Sequence, residues 1–200
     1  MKQISQEARY RQMMEEPVYT LIPRLAIPTI VSMLVTAIYN MADTYFVSQL
    51  GTSPSAAVGV VFSLMTGIQA MAFMIGMGCG NEIARLLGQK EVEEAERYVA
   101  TGFFTEILVG TLLAVLGIAC SGQLVYRLGA TPTIAPYAAS YTRYALLGVP
   151  FFMCSLGMNN MLRFQGNSFY SMLGIATGGI LNIFLDPLFI YVFHMGIAGA

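Results

Sequence analysis

The residues best suited to chemistry are Asp43 and Asp186, two aspartates that each stand inside a long apolar stretch. A charged side chain at membrane depth is costly and faces a protein interior or a water-filled cavity, so an intramembrane acid is a candidate functional residue. With Asn40 and Asn182 nearby, the two carboxylates could bind a cation through oxygen ligands, or share a proton because adjacent like charges resist double ionisation. The alternative is that both aspartates only hydrogen-bond neighbouring helices.

Helical spacing places other residues on the same faces as the two aspartates. Steps of four, four and three predict a polar stripe on the first stretch, formed by Ser32, Thr36, Asn40 and Asp43. Steps of four lead to the second aspartate through Gly174, Gly178, Asn182 and Asp186. The two glycines predict a close helix approach, and Pro187 removes a backbone donor and can free a carbonyl beside the carboxylate. The spacing thus supports a pairing of the two aspartates.

A third acid, Glu106, stands in a different apolar stretch, nine residues beyond Arg97. Counted from the basic residues that precede each stretch, Glu106 is predicted in the inner half of the membrane and the two aspartates in the outer half. Glu106 is an additional candidate for ion coupling, and local helix contacts are its alternative role. Other residues predict no metal or redox chemistry, since the three cysteines lack C-x-x-C spacing and His194 is predicted as an interfacial residue.

The composition indicates that a membrane is the main solvent of this chain. Hydrophobic residues make up 56% and charged residues 10%, with a mean hydropathy of +0.64. A spanning helix needs about 20 mostly apolar residues. Five stretches meet that need, at residues 25–50, 55–81, 98–121, 144–162 and 169–193. Because lipid leaves backbone polar groups no other partners, the fold class predicted is all-α, a polytopic transmembrane helical bundle.

The basic residues predict how the bundle is oriented in the cell membrane. One side carries Lys2, Arg9, Arg11, Arg24, Arg85, Lys90, Arg97 and Arg163, and the opposite side only Arg127 and Arg143. By the positive-inside rule, residues 1–24 form a cytoplasmic or interfacial segment, and residues 25–200 form a transmembrane region. The 10 basic and 11 acidic residues leave no strongly basic face, so lipid and not nucleic acid is the predicted partner.

An ordered series of short motifs resembles the multidrug and toxic compound extrusion (MATE) family over residues 25–200. Its first members are Ala42, Asp43, Thr44, Leu50, Gly51, Gly76, Gly78, Gly80, Arg85, Gly88 and Ala95. Further along come Leu128, Gly129, Ala130, Gly148, Pro150, Arg163, Gln165, Gly166 and Asn167. The most specific part is the run Leu-Asn-Ile-Phe-Leu-Asp-Pro-Leu-Phe at 181–189, followed by Met-Gly-Ile-Ala-Gly-Ala at 195–200.

The resemblance implies a secondary antiporter, not an enzyme, that exports organic and often cationic compounds in exchange for inward-moving protons or sodium ions. No cofactor is implied beyond the coupling ion. The implied cation-coupling residues, which would also hold a sodium ion, are Asp43, Asn182 and Asp186. Asn40 joins them as a candidate, and Tyr39, Thr44 and Glu106 are additional ones.

Members of that family have twelve helices in two six-helix lobes, a repeat arrangement common among transporters. On this resemblance the chain is a fragment with five transmembrane helices plus the start of a sixth, an incomplete N-terminal lobe without its C-terminal lobe. A half-size channel or flippase-like protein acting as a dimer is an alternative. An intramembrane aspartyl hydrolase is disfavoured, because neither Asp43 nor Asp186 has the Gly-x-Gly-Asp context of such proteases. The particular substrate is not predicted.

Overall fold

The computed structural model describes residues 16–193, and every regular element within that range is helical. Six α-helices are followed by a short π-helical segment: α1 Val18–Ser48, α2 Thr52–Gly88, α3 Val92–Ala119, α4 Ser121–Arg127, α5 Ala135–Phe164, α6 Ser168–Pro187 and the π-helical segment Leu188–Val192. Within the described range five helices are long and apolar enough to cross a membrane, namely α1, α2, α3, α5 and α6 together with the π-helical segment. The predicted all-α transmembrane bundle is confirmed.

The helices extend beyond the predicted apolar stretches. Helix α1 begins at Val18, directly after Pro17, and α5 begins at Ala135 rather than near residue 144. Hydropathy marks only the part of a helix that lies in hydrocarbon, so it underestimates helices whose ends are more polar. The short helix α4 was not predicted; it follows a break at Cys120, which lies outside the α-helical backbone region at φ −99° and ψ 5°. His194, the predicted start of a sixth helix and residues 1–15 lie outside the described range.

The helices pack as a group of three and a pair. Helix α5 packs along both α2 and α3, and α2 also contacts α3. Helix α1 packs mainly against α6, and contacts between the pair and the group are fewer, running from α1 to α2 and from α5 to α6. In the described part of the chain the first and fifth spanning helices, α1 and α6, are therefore neighbours. This packing positions Asp43 on α1 and Asp186 on α6.

Glycines allow the backbones of the three-helix group to approach closely. A methyl group added to Gly76 on α2 would lie 2.7 Å from the Cα of Gly157 on α5. A methyl group added to Gly110 on α3 would lie 2.7 Å from the Cα of Pro150, also on α5. Small residues at such crossings are typical of membrane helix pairs, in which van der Waals packing of the backbones supplies much of the association energy.

The close approach between α1 and α6 occurs at a different glycine from those predicted. Gly174 and Gly178 are exposed, and a methyl group added to either would meet nothing within 4 Å. Gly179 is buried instead, and a methyl group there would lie 2.9 Å from the ring of Tyr39 and 3.0 Å from Val35. The prediction for Gly174 and Gly178 was wrong because steps of four residues drift around a helix that turns every 3.6 residues.

Two polar clusters fix the start of α6 and the π-helical segment that follows it. At the turn from α5, Arg163 Nε donates to Ser171 Oγ at 2.9 Å, Ser171 Oγ donates to Asn159 Oδ1 at 2.7 Å, and Asn159 Nδ2 donates to the Ser171 carbonyl at 2.9 Å. At the other end, the Tyr191 hydroxyl lies 3.2 Å from the Phe46 carbonyl oxygen and 2.9 Å from Gln49 Oε1. The start of α6 is thus bonded to α5, and the π-helical segment is bonded to the C-terminal end of α1 and its flank.

We expect Tyr191→Phe to lower the free energy of unfolding by about 1 kcal/mol, the net contribution of one hydrogen bond. The hydroxyl proton can be donated to only one of its two acceptors, and both acceptors are partly accessible, so the loss is modest. Thermal unfolding in detergent, compared with wild type, measures it. Tyr170→Phe is the control, because Tyr170 is also an exposed tyrosine on the α6 side of the bundle. An equal loss of stability in both variants would show that the hydrogen bonds of Tyr191 do not stabilise the bundle.

Candidate cation-coupling site

Packing of α1 against α6 brings the two predicted aspartates together. Asp186 is buried with 3% of its surface exposed, and Asp43 is half-buried. The two carboxylates lie close enough for the charge of Asp43 to act on Asp186. Asp186 is followed by Pro187 and then by the π-helical segment, a helix form that recurs at functional sites. The pair therefore lies where α6 changes its helical geometry.

Asn182 completes a cluster of three oxygen-bearing side chains. Its Nδ2 donates a hydrogen bond to Asp186 Oδ1 at 3.0 Å, one helical turn away. This bond leaves the amide oxygen of Asn182 and the second carboxylate oxygen of Asp186 available. Both atoms are buried without a hydrogen-bond partner, and so is Oδ1 of Asp43. Three unpartnered acceptor atoms from the same predicted set thus lie on two adjacent helices.

A cluster of acceptor oxygens such as this one suits a proton or a cation. A carboxylate and an amide oxygen can only accept hydrogen bonds, and a buried acceptor without a partner costs free energy. A proton would turn one carboxyl into a donor, and a cation would be bound by the same oxygens. Within residues 16–193, no three His, Cys, Asp or Glu side chains are grouped as a metal centre. The oxygens that could bind a sodium ion here are those of the two carboxylates and of the Asn182 amide.

The remaining predicted residues on α1 differ in their surroundings. The hydroxyls of Ser32 and Thr36 donate within the helix, to the carbonyls of Pro28 at 2.8 Å and of Ser32 at 2.9 Å. Asn40 and Thr44 are exposed, and the Thr44 hydroxyl donates to the Asn40 carbonyl at 2.8 Å. Tyr39 is half-buried, and the charge of Asp43 acts on it. The ring of Tyr39 thus packs against Gly179 of α6, whereas Asn40 and Thr44 lie on the exposed side of α1.

Sequence reasoning missed Tyr141, which α5 directs toward the aspartates. The charges of both Asp43 and Asp186 act on this half-buried side chain, so a third helix borders the cluster. The fourth apolar stretch was predicted to begin at residue 144, which left Tyr141 in a loop. Only the actual start of α5 at Ala135 puts Tyr141 on a helix beside α1 and α6.

Glu106 belongs to a different part of the bundle. Its carboxyl lies against Gly157, among α2, α3 and α5, and it does not join the cluster on α1 and α6. The three cysteines form no disulfide: Cys79 is half-buried, Cys120 exposed and Cys154 buried. The structure thus separates two buried acidic centres, one between the paired helices and one inside the three-helix group.

Comparison with known proteins shows which family has a similar sequence. The MatE family model matches residues 28–188, a range that includes every member of the aspartate cluster. Among curated relatives, the multidrug export protein MepA of Staphylococcus haemolyticus is 24% identical over 93% of this chain and 41% of its own length. The FAD transporter of Shewanella oneidensis is 26% identical over 90% of this chain and 40% of its own length. The chain therefore spans about two fifths of the length of these relatives.

The fold is also found among solved structures. A crystal structure of MATE in the bent conformation matches with a TM-score of 0.87 and 32% identity, covering 95% of this chain and 42% of that one. At that identity and coverage the similarity concerns both sequence and fold. From the match to its family model and the agreement in structure, we conclude that this multi-pass membrane protein belongs to the MatE family.

Proposed function

We propose that the chain forms the ion-coupling lobe of an antiporter that exports organic compounds in exchange for inward-moving protons or sodium ions. The observation that carries this proposal is the set of three buried, unpartnered oxygens on Asp43, Asn182 and Asp186. Buried acceptors without donors are rare in folded proteins and call for an explanation such as a bound ion. The proposal explains them as the place where the coupling ion binds.

In the proposed mechanism, ion binding changes how α1 packs against α6. Without the ion, the negative charges of Asp43 and Asp186 repel each other across the two helices. A proton or sodium ion removes that repulsion and supplies the missing partner of the three oxygens. Asn182 orients Asp186 through the 3.0 Å hydrogen bond.

An ion can shift a two-state equilibrium only through a difference in affinity between the states. In this mechanism the ion binds more tightly to the state in which α1 and α6 hold the three oxygens together than to the state in which they are apart.

Substrate, location and partner follow as parts of the same proposal. The relatives named above export multiple drugs or transport FAD, so we propose small organic molecules, often cationic, as the class transported. The clustering of basic residues supports the cell membrane with a cytoplasmic N-terminus. The longer relatives leave room for a second lobe, and we propose that the substrate is held between this lobe and such a partner.

Transport by the complete protein in lipid vesicles tests the proposal. An organic cation dye is loaded, and an inward proton or sodium gradient is imposed in separate experiments. We expect one of the two gradients to accelerate export against the dye's own gradient, and an ionophore that collapses it to stop export. Downhill dye flux that ignores both gradients would contradict the antiporter and would favour a channel.

A further inference from the structure

Glu106 on α3 is completely buried where three helices meet, with 0% of its surface exposed. Its carboxyl lies against Gly157 of α5, and a methyl group added to that glycine would overlap the carboxyl. Gly76 of α2 reaches the same glycine, since a methyl group there would lie 3.1 Å from the Gly157 carbonyl oxygen. The carboxyl group is therefore enclosed by α2, α3 and α5 rather than directed toward lipid.

No positive charge accompanies this carboxyl group in the described part of the chain. Both oxygens of Glu106 are buried without a hydrogen-bond partner. Glu16 and Glu82, by contrast, form ion pairs with Arg24 and Arg85. The titratable groups that face Glu106 are the thiols of Cys79 on α2 and Cys154 on α5, which carry no charge as thiols. The surroundings thus offer an ionised carboxylate no counter-charge, and the backbone of Gly157 is the one donor that acts on it among the described residues.

A carboxylate in such a place is disfavoured, because burying an unpaired charge in a low-dielectric interior costs far more than burying a neutral group. Taking up a proton removes the charge and turns the group into a hydrogen-bond donor. Gly157 has no side chain to separate that donor from the backbone of α5, so the tight crossing suits a neutral acid.

We propose that Glu106 is a second proton-binding site, separate from the aspartate cluster, in which the carboxyl group is held as the neutral acid between α2, α3 and α5. Its proton remains bound while the three helices stay packed, because releasing it would leave a bare charge at their crossing. The site is independent of the function proposed above: it requires no transport, and it shares no residue with Asp43, Asn182 or Asp186.

Infrared spectroscopy of the complete purified protein in lipid at neutral pH tests the proposal, through the carbonyl stretch of a protonated carboxylic acid. We expect wild type to show this band, Glu106→Gln to lose it, and Glu82→Gln to retain it. Glu82 is the matched control, because its carboxylate is partly exposed and bonds to Arg85 at 2.6 Å. The double variant Asp43→Asn/Asp186→Asn should also retain the band, which separates this site from the aspartate cluster.

Two further measurements, thermal stability and isotope labelling, allow the test to succeed even if the Glu106→Gln variant does not fold. Because glutamine has the shape of neutral glutamic acid, Glu106→Gln should unfold within roughly 4 °C of wild type. If that variant does not fold, wild type labelled with ¹³C-glutamate should shift a protonated-acid band. A band unchanged in folded Glu106→Gln, or no glutamic acid band in the labelled wild type, would overturn the proposal.

Discussion

Asp186→Asn is expected to abolish ion-coupled export by the complete protein, because an intramembrane acid of this kind marks the ion pathway. Asparagine has nearly the shape of aspartic acid, so the contact with Asn182 and the packing of α6 are retained. It can neither take up a proton nor carry the negative charge that attracts sodium, so the cluster loses its response to either ion. Asp43→Asn should have the same effect, because Asp43 supplies another of the three unpartnered oxygens.

Transport assays in vesicles with an imposed ion gradient measure this loss. Membrane insertion and expression, followed on the same samples, should match wild type. Glu82→Gln serves as the control, since it removes one carboxylate of a different kind, on α2 and bonded to Arg85. Export at the wild-type rate by both aspartate variants would show that the cluster does not couple the ion.

Gly76→Ala is expected to lower the free energy of unfolding by about 1–3 kcal/mol, the usual cost of overpacking. The added methyl group would lie 2.7 Å from Gly157 Cα and 3.3 Å from its carbonyl carbon, so the backbones of α2 and α5 would have to move apart. Backbone atoms cannot turn aside as a flexible side chain can. The damage should therefore extend to the whole α2–α5 crossing.

Gly78→Ala is the matched control, because it makes the same change on the same helix. A methyl group there would meet nothing within 4 Å. Both variants share the gain in helix propensity, up to about 1 kcal/mol, so the difference between them isolates the packing term. Thermal unfolding in one detergent compares them. Equal stability of the two variants would mean that α2 and α5 do not cross at Gly76.

Hydropathy was sufficient to predict the number and order of the spanning helices within residues 16–193. A run of about 20 apolar residues has one stable backbone conformation in lipid, so the information is local. The extent of the helices was less predictable: α1 begins at Val18, and α5 begins at Ala135. Residues beyond the hydrocarbon region continue these helices without an apolar signal, and α4 is too short to give one.

Those features of the candidate site that depend on spacing along one helix were predictable from the sequence. Asn182 and Asp186 are one turn apart, and their hydrogen bond follows from that spacing. Tyr141 was not predictable in the same way, because its position beside the aspartates depends on how α5 packs against two other helices. Gly179 was missed for a related reason, since a shift of one residue decides which glycine faces α1.

The environment of Glu106 was also only partly predictable from the sequence. Its presence in an apolar stretch indicated a buried acid, and the count from Arg97 separated it from the aspartates. Its contact with Gly157 joins residues on two helices, and the surrounding thiols come from α2 and α5. Such a junction is a product of tertiary packing, which sequence spacing along one helix does not contain.

Direct measurement of ion binding tests the central claim that Asp43, Asn182 and Asp186 bind the coupling ion. In the complete purified protein, sodium binding is measured by calorimetry, and proton release on addition of an organic cation is measured in weakly buffered solution. We predict that wild type binds sodium or releases a proton, and that Asp43→Asn/Asp186→Asn does neither while remaining folded. If the double variant binds sodium or releases a proton as wild type does, these residues do not bind the coupling ion.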